Sequence, residues 1–290
     1  FSYNRNKKVK FNDGINLILL GVFKKLVIAD NLALHVDKIY KDYEFYTSMD
    51  LLFASYMFTL QIFFDFSAYT DIARGSAKLF GVDLMENFKS PYKSKSLHEF
   101  WTRWHISLTS WLKDYIYVSL GGNSINRKVL IRNIFLVFII SGIWHGANWT
   151  FLVWALIHFN GYSLERFFLK EYYIKIKNLK NKILKEVLNF FNFIVTFNIL
   201  NFSWIFFRSE NLSEANAILG KIFIGIYNTI LFRFFNDYSV IDNTLNLRYS
   251  SKVFFQSFWF LIIIIALYFF YERFKDQICD KKSNTVLKAL

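Results

Sequence analysis

The sequence predicts an all-α membrane protein that crosses the bilayer several times, and three observations predict it. Of its 290 residues, 54% are hydrophobic and only 20% are charged. An ordinary soluble domain is roughly 45–50% apolar and about 25% charged. Long apolar runs with almost no charge recur along the chain, at helical rather than strand length. Lys and Arg, which outnumber Asp and Glu to give a net charge of +13, gather between those runs. That placement is typical of membrane flanks and unlike the basic clusters of a nucleic-acid-binding surface, so no nucleic-acid partner is expected. With Pro 1 and Cys 1, collagen-like and disulfide-stapled classes are also excluded. The chain starts at Phe1 with no initiator Met, and is read as a fragment: a single membrane domain over 1–290.

The elements follow in order. Residues 15–29 are apolar but contain Lys24 and Lys25, which suits a span, a re-entrant segment or an interfacial helix. Residues 51–64 form the next run. Asp65, Asp71 and Arg74 come after it, and Asp71 and Arg74 have the spacing to pair on a helix. The polar stretch 87–96 holds the single Pro91 and reads as a loop. Residues 98–114, HEFWTRWHISLTSWLKD, are too polar for a plain lipid-facing span. On one helix His98, Trp101, His105, Leu108 and Leu112 would share a face, either at the membrane interface or lining an internal cavity. Gly121, Gly122 and Asn123 read as a tight turn.

Runs 129–143 and 149–162 flank the segment SGIWHGAN at 141–148. Its glycines permit a kink or a close approach. A histidine at membrane depth marks a functional site by default, although it can also serve only to bond a neighbouring helix. In an apolar setting His145 is expected to be neutral and able to accept a proton, as a general base must. His105 is the second candidate; His35, His98 and His158 read as structural or solvated.

Segment 166–185 carries Arg166 and six lysines against Glu171 and is expected to face the cytoplasm. Run 187–207 contains four Asn, which should face other helices and find partners there. Run 254–271 has no charge and reads as a further transmembrane helix. The basic tail 273–290 then returns to the cytoplasmic side, and the loop 208–252 lies outside. No HExxH, CxxC, Walker A or GxSxG pattern is present, and no metal site is expected.

Four segments in this order, FFDFSAYTDIARG at 63–75, ENFKSPY at 86–92, EFWTRWHISLTSWLKDYIYVSLGG at 99–122 and SGIWHGANWTFLVW at 141–154, resemble the membrane-bound O-acyltransferase family. The likeness is to its alginate O-acetyltransferase branch, and GINLILLGVFKKLVIADNLA at 14–33 and FFRSENLSEANAIL at 206–219 extend it over most of the chain. The resemblance implies a bundle of transmembrane and re-entrant helices around a central tunnel. It implies transfer of an acyl group from a thioester, acetyl-CoA, to a hydroxyl, with His145 as the catalytic residue and His105 as the second polar residue of the centre. No bound cofactor is expected. Asp65, Arg103, Trp104, Lys113, Asp114, Trp144 and Asn148 would shape the tunnel or bind substrate.

Donors to a tetrahedral oxyanion would be Asn148, Trp104 or the Gly146 N–H. Lys113, Arg127, Lys128 and Arg132 are the cations for the CoA phosphates. Family members are usually longer, so N-terminal helices are expected to be missing. The expected partners are the lipid bilayer, a polysaccharide acceptor such as an alginate-like exopolymer or peptidoglycan, and a separate extracytoplasmic acetyltransferase. The expected location is the bacterial cytoplasmic membrane. The alternatives are D-alanyl transfer to teichoic acid from a carrier protein, and a transporter without chemistry.

Overall fold

The computed structural model describes residues 11–235 and Ala266, and every described element is helical. The expected helix at 254–271, the tail at 273–290 and Cys279 lie outside the described residues apart from Ala266. Helix α1 (Phe11–Phe23) passes through a π-helical turn (Lys24–Ala29) into α2 (Asp30–Lys41). The apolar run at 15–29 is therefore one part of a longer, irregular helical arm.

Helix α3 (Ser48–Leu79) is much longer than the apolar run 51–64 that announced it. Its start is fixed by a capping box in which Thr47 accepts from the Asp50 N–H and Asp50 accepts from the Thr47 N–H. At 1.5 Å per residue it measures about 48 Å, well beyond a bilayer core of about 30 Å. Asp65, Asp71 and Arg74, which follow the run, continue the same helix, as the spacing of Asp71 and Arg74 suggested. Helix α1 packs against its second half, and glycines set the approach. A Cβ on Gly14 would stand 2.9 Å from the Gly75 carbonyl, and one on Gly21 would stand 2.7 Å from that of Ala68. Closeness of this kind tolerates no side chain.

After a loop with a short 3-10 turn (Pro91–Lys93) come α4 (Leu97–Arg103) and α5 (Ile106–Leu112), then a second π-helical turn (Lys113–Tyr117). The turn at Gly121 and Gly122 forms as expected, with both residues at positive φ. Helices α6 (Arg127–His145) and α7 (Trp149–Leu164) form a hairpin across residues 146–148. A third π-helical turn (Glu165–Leu169) leads to α8 (Lys170–Lys177), α9 (Lys182–Arg208) and α10 (Leu212–Phe235). The segment expected as an outer loop thus begins with a helix, which buries Ala215, Ile218 and Ile222.

Helix α9 shows which solvent the fold is built for. Its buried face mixes Asn192, Thr196, Asn201 and Ser203 with Leu200, Trp204, Ile205 and Phe206, while Val187, Phe190 and Phe191 are exposed. A helix in water would not leave such large apolar side chains outside while burying amides and hydroxyls. The inward amides find partners, as expected. Asn201 donates to Ser55 Oγ at 2.9 Å, and Asn198 accepts from the Tyr56 hydroxyl at 2.7 Å. Three described helices, α3, α6 and α9, are long and apolar enough to cross a membrane. The core between them is largely aromatic, with Trp104, Trp154, Trp204, Phe63, Phe64 and Phe100 all buried.

Candidate active site

The histidine-bearing segment 98–114 is not one helix. It breaks between α4 and α5, so the shared face expected for His98, Trp101, His105, Leu108 and Leu112 does not form. His105 sits at the break with φ 44° and ψ 53°, in the left-handed region where a residue with a Cβ pays roughly 1–2 kcal/mol. The loop before α4 supplies the reason. Asn87 takes the N–H groups that open α5: its carbonyl accepts from Ile106 at 3.1 Å and its side chain accepts from Ser107 at 2.9 Å. The Lys89 N–H donates to the Arg103 carbonyl at 2.9 Å. Backbone groups released by the break are thus bonded again, which is what makes it tolerable inside a helical bundle.

Helix α4 is itself held from the other side of the fold. The Glu165 carboxylate accepts from the N–H groups of Leu97 and His98 at 2.7 and 2.9 Å, a favourable place for a negative charge. Burial pushes the Glu165 carboxyl up, and these two N–H groups oppose the shift. His98 contacts the Tyr162 hydroxyl at 3.0 Å; burial, with the charge of Arg166, lowers its pKa.

His105 and His145 line a single cavity of about 660 Å³ with Trp101, Trp104, Trp154, Trp204, Phe66 and Phe207 among its walls. His145 is the last residue of α6, and Gly146 ends that helix at φ 154°. The imidazole of His145 stands edge-on to Trp154 at 5.3 Å and to Phe207 at 4.9 Å. His105 stands edge-on to Phe66 at 4.6 Å. Trp144 touches both histidines. Asp65 and Lys25 form the polar edge of the cavity, joined at 2.6 Å, with Asp30 2.9 Å from the same ammonium.

The other expected site residues lie elsewhere. Arg103 pairs with Glu99 at 2.6 Å and donates to the Lys89 carbonyl. Asn148 caps α7 through the Thr150 N–H and donates to the Glu210 carbonyl at 2.7 Å. The Gly146 N–H donates to the Ile143 carbonyl. Lys113 lines a second cavity of about 370 Å³ with His98, Tyr162 and Arg166; Trp101 and Leu108 belong to both cavities. Asp114 is exposed and lines neither. Arg127 lies over the rings of Phe167 and Phe168, and Arg132 is bonded to Asn133. Asp71 takes its main partner from outside its own helix: Lys24 Nζ donates to it at 2.7 Å in a buried pair, and the expected Arg74 contact is longer at 3.5 Å.

Sequence reasoning gave no role to Lys25, Phe66, Trp154, Trp204 or Phe207, all of which line the histidine cavity. For Lys25 a signal was available, a charge inside an apolar run. Among the described residues, no group of three or more His, Cys, Asp or Glu is placed to hold a metal ion.

Long helices with exposed apolar faces and two histidines in an aromatic cavity define a polytopic, all-α membrane protein with a polar centre. The chain belongs to the membrane-bound O-acyltransferase family, whose model matches residues 1–207. It is 34% identical to the peptidoglycan O-acetyltransferase of Helicobacter pylori over 88% of this chain and 48% of that protein. It is 38% identical to the probable alginate O-acetylase AlgI of Pseudomonas aeruginosa over 74% of this chain and 39% of that protein. The teichoic acid D-alanyltransferase of Bacillus subtilis is also similar, at 34% identity over 36% of this chain. The chain spans about half the length, or less, of the curated relatives it matches.

Proposed function

We propose that this chain carries the acyl-transfer centre of a membrane O-acetyltransferase. It takes acetyl groups from acetyl-CoA on the cytoplasmic side and delivers them for O-acetylation of an extracytoplasmic polysaccharide. The observation that carries the reading is the meeting of His105 and His145 in one aromatic cavity, within a chain of this family. His145 acts as general base, taking the proton of an acceptor hydroxyl as its oxygen attacks the thioester carbonyl. His105, with Trp144 against both rings, orients the reacting groups. Trp104 shapes the wall, and Asp65 with Lys25 forms the polar rim where a hydroxyl would enter. Lys113 and Arg166 stand at the second cavity, where cations would meet the phosphates of CoA.

The basic segment that opens α9 orients the protein with that end in the cytoplasm, and bacterial cytoplasmic membrane is the proposed location. A separate extracytoplasmic transferase is the proposed recipient of the acetyl group. The teichoic acid relatives match over a smaller part of the chain, so D-alanyl transfer is the weaker reading. Membrane vesicles holding the full-length protein, supplied with radiolabelled acetyl-CoA, test the function. Labelled acetyl groups should appear on polymer or partner protein, and transfer of D-alanine from a carrier protein without any acetyl transfer would replace this reading with the other.

A further inference from the structure

A helix begins with N–H groups that have no partner inside it, and the residue before it often caps them with its own side chain. Thr47 caps α3 in this way, Ser96 caps α4, Asn126 caps α6, Asn148 caps α7 and Asn181 caps α9. Helix α5 differs. His105 stands at its N-cap and makes no such bond with its side chain; its imidazole lines the cavity instead. The capping is done from a distance by Asn87. The Asn87 carbonyl accepts from the Ile106 N–H at 3.1 Å, and the side-chain oxygen accepts from the Ser107 N–H at 2.9 Å.

The neighbours of Asn87 hold the other side of His105. The Lys89 N–H donates to the Arg103 carbonyl at 2.9 Å, and the Arg103 guanidinium donates back to the Lys89 carbonyl at 3.4 Å. The chain is thus anchored two residues before His105 and at both residues after it. Between these anchors Phe88 is buried, edge-on to Trp104 at 5.0 Å and to Phe66 at 5.2 Å. Phe66 in turn stands edge-on to the His105 imidazole at 4.6 Å. Residues 87–89 therefore fix the backbone that carries His105 and back the ring against which it lies. Asn87 itself lines neither cavity.

We propose that Asn87 is a positioning residue of the acyl-transfer centre. It caps α5 in place of His105, which leaves the imidazole for the cavity and holds it there in one orientation. This rests on the acyl-transfer reading above. Without the Asn87 acceptor two relaxations open. The His105 side chain turns back to cap its own helix, or α4 and α5 merge into the single helix that their periodicity favours. Each takes the imidazole out of the cavity, and Asn87 closes both routes.

The test is acetyl transfer from acetyl-CoA by full-length protein in membrane vesicles, comparing wild type with Asn87→Leu and Asn87→Asp. Leucine keeps the volume and removes the acceptor. Aspartate keeps an acceptor oxygen, and its charge suits the start of a helix. The expected result is a fall in kcat of about 10–10²-fold for Asn87→Leu, as for a reacting group displaced by about 1 Å, with KM for acetyl-CoA little changed. Asn87→Asp should bring kcat back to within a few-fold of wild type. Where the leucine variant does not fold, Asn87→Ala takes its place with the same expectations. A second readout does not depend on turnover: with ¹³C-labelled histidine, the His105 ring resonances, which sense the Phe66 ring, should shift in Asn87→Leu and return in Asn87→Asp. Wild-type kcat in Asn87→Leu, unmoved His105 resonances, or an aspartate variant as slow as the leucine one would overturn the proposal. Absence of acetyl transfer in the wild type would instead overturn the acyl-transfer reading, while the His105 resonances would still report on Asn87.

Discussion

His105, at the break between α4 and α5, and His145, at the end of α6, both have rings against Trp144, at centroid distances of 6.1 and 4.8 Å. His145 is delivered by the end of a regular helix. His105 is delivered by a break, and its left-handed backbone is the cost of aiming it into the cavity. Strain of this kind collects where function over-determines the geometry.

That strain makes a separable prediction. His105→Gly and His105→Ala remove the same imidazole, but only glycine is at ease at φ 44°. The glycine variant should be more stable than the alanine variant by about 1–2 kcal/mol, while both lose acetyl transfer. Thermal unfolding in detergent, read alongside activity, checks this. Equal stability would mean that the break relaxes when the side chain is removed.

The buried pair of Lys24 and Asp71 ties the π-helical turn to α3 at 2.7 Å. Replacing Lys24 by Met leaves a carboxylate buried with only the longer Arg74 contact, and breaking such pairs typically costs about 3–5 kcal/mol. The double variant Lys24→Met with Asp71→Leu should recover much of that loss. Unfolding midpoints of the two variants decide the matter; a double variant no better than the single would show that the pair is not a unit.

Asn148 makes two hydrogen bonds, one capping α7 and one crossing to Glu210. Asn148→Ala should therefore lower stability by about 1–2 kcal/mol and leave kcat per folded molecule within a few-fold of wild type. A large fall in kcat at undiminished stability would return Asn148 to the reacting groups.

Much of the fold was legible because lipid imposes long helices. The runs at 129–143, 149–162 and 187–207 became α6, α7 and α9 with small changes at their ends. The inward turn of the Asn residues on α9 also followed from the sequence. The length of α3 did not, because Asp65, Asp71 and Arg74 break its hydrophobicity; their partners Lys25 and Lys24 come from the distant helical arm. The break at His105 was hidden for a similar reason. Residues 98–114 have good helical periodicity, and what interrupts them is Asn87, bonded to α5 from an earlier loop. For the site, motif order named the two histidines, and the fold brings them together.

The central claim is that the cavity of His105 and His145 performs acyl transfer with His145 as its base. Its most direct measurement is single-turnover transfer of radiolabelled acetyl from acetyl-CoA by full-length protein in vesicles, comparing wild type with His145→Ala. The account predicts that the variant still folds and binds acetyl-CoA but transfers at least about 10²-fold more slowly. Transfer at the wild-type rate by His145→Ala would contradict it.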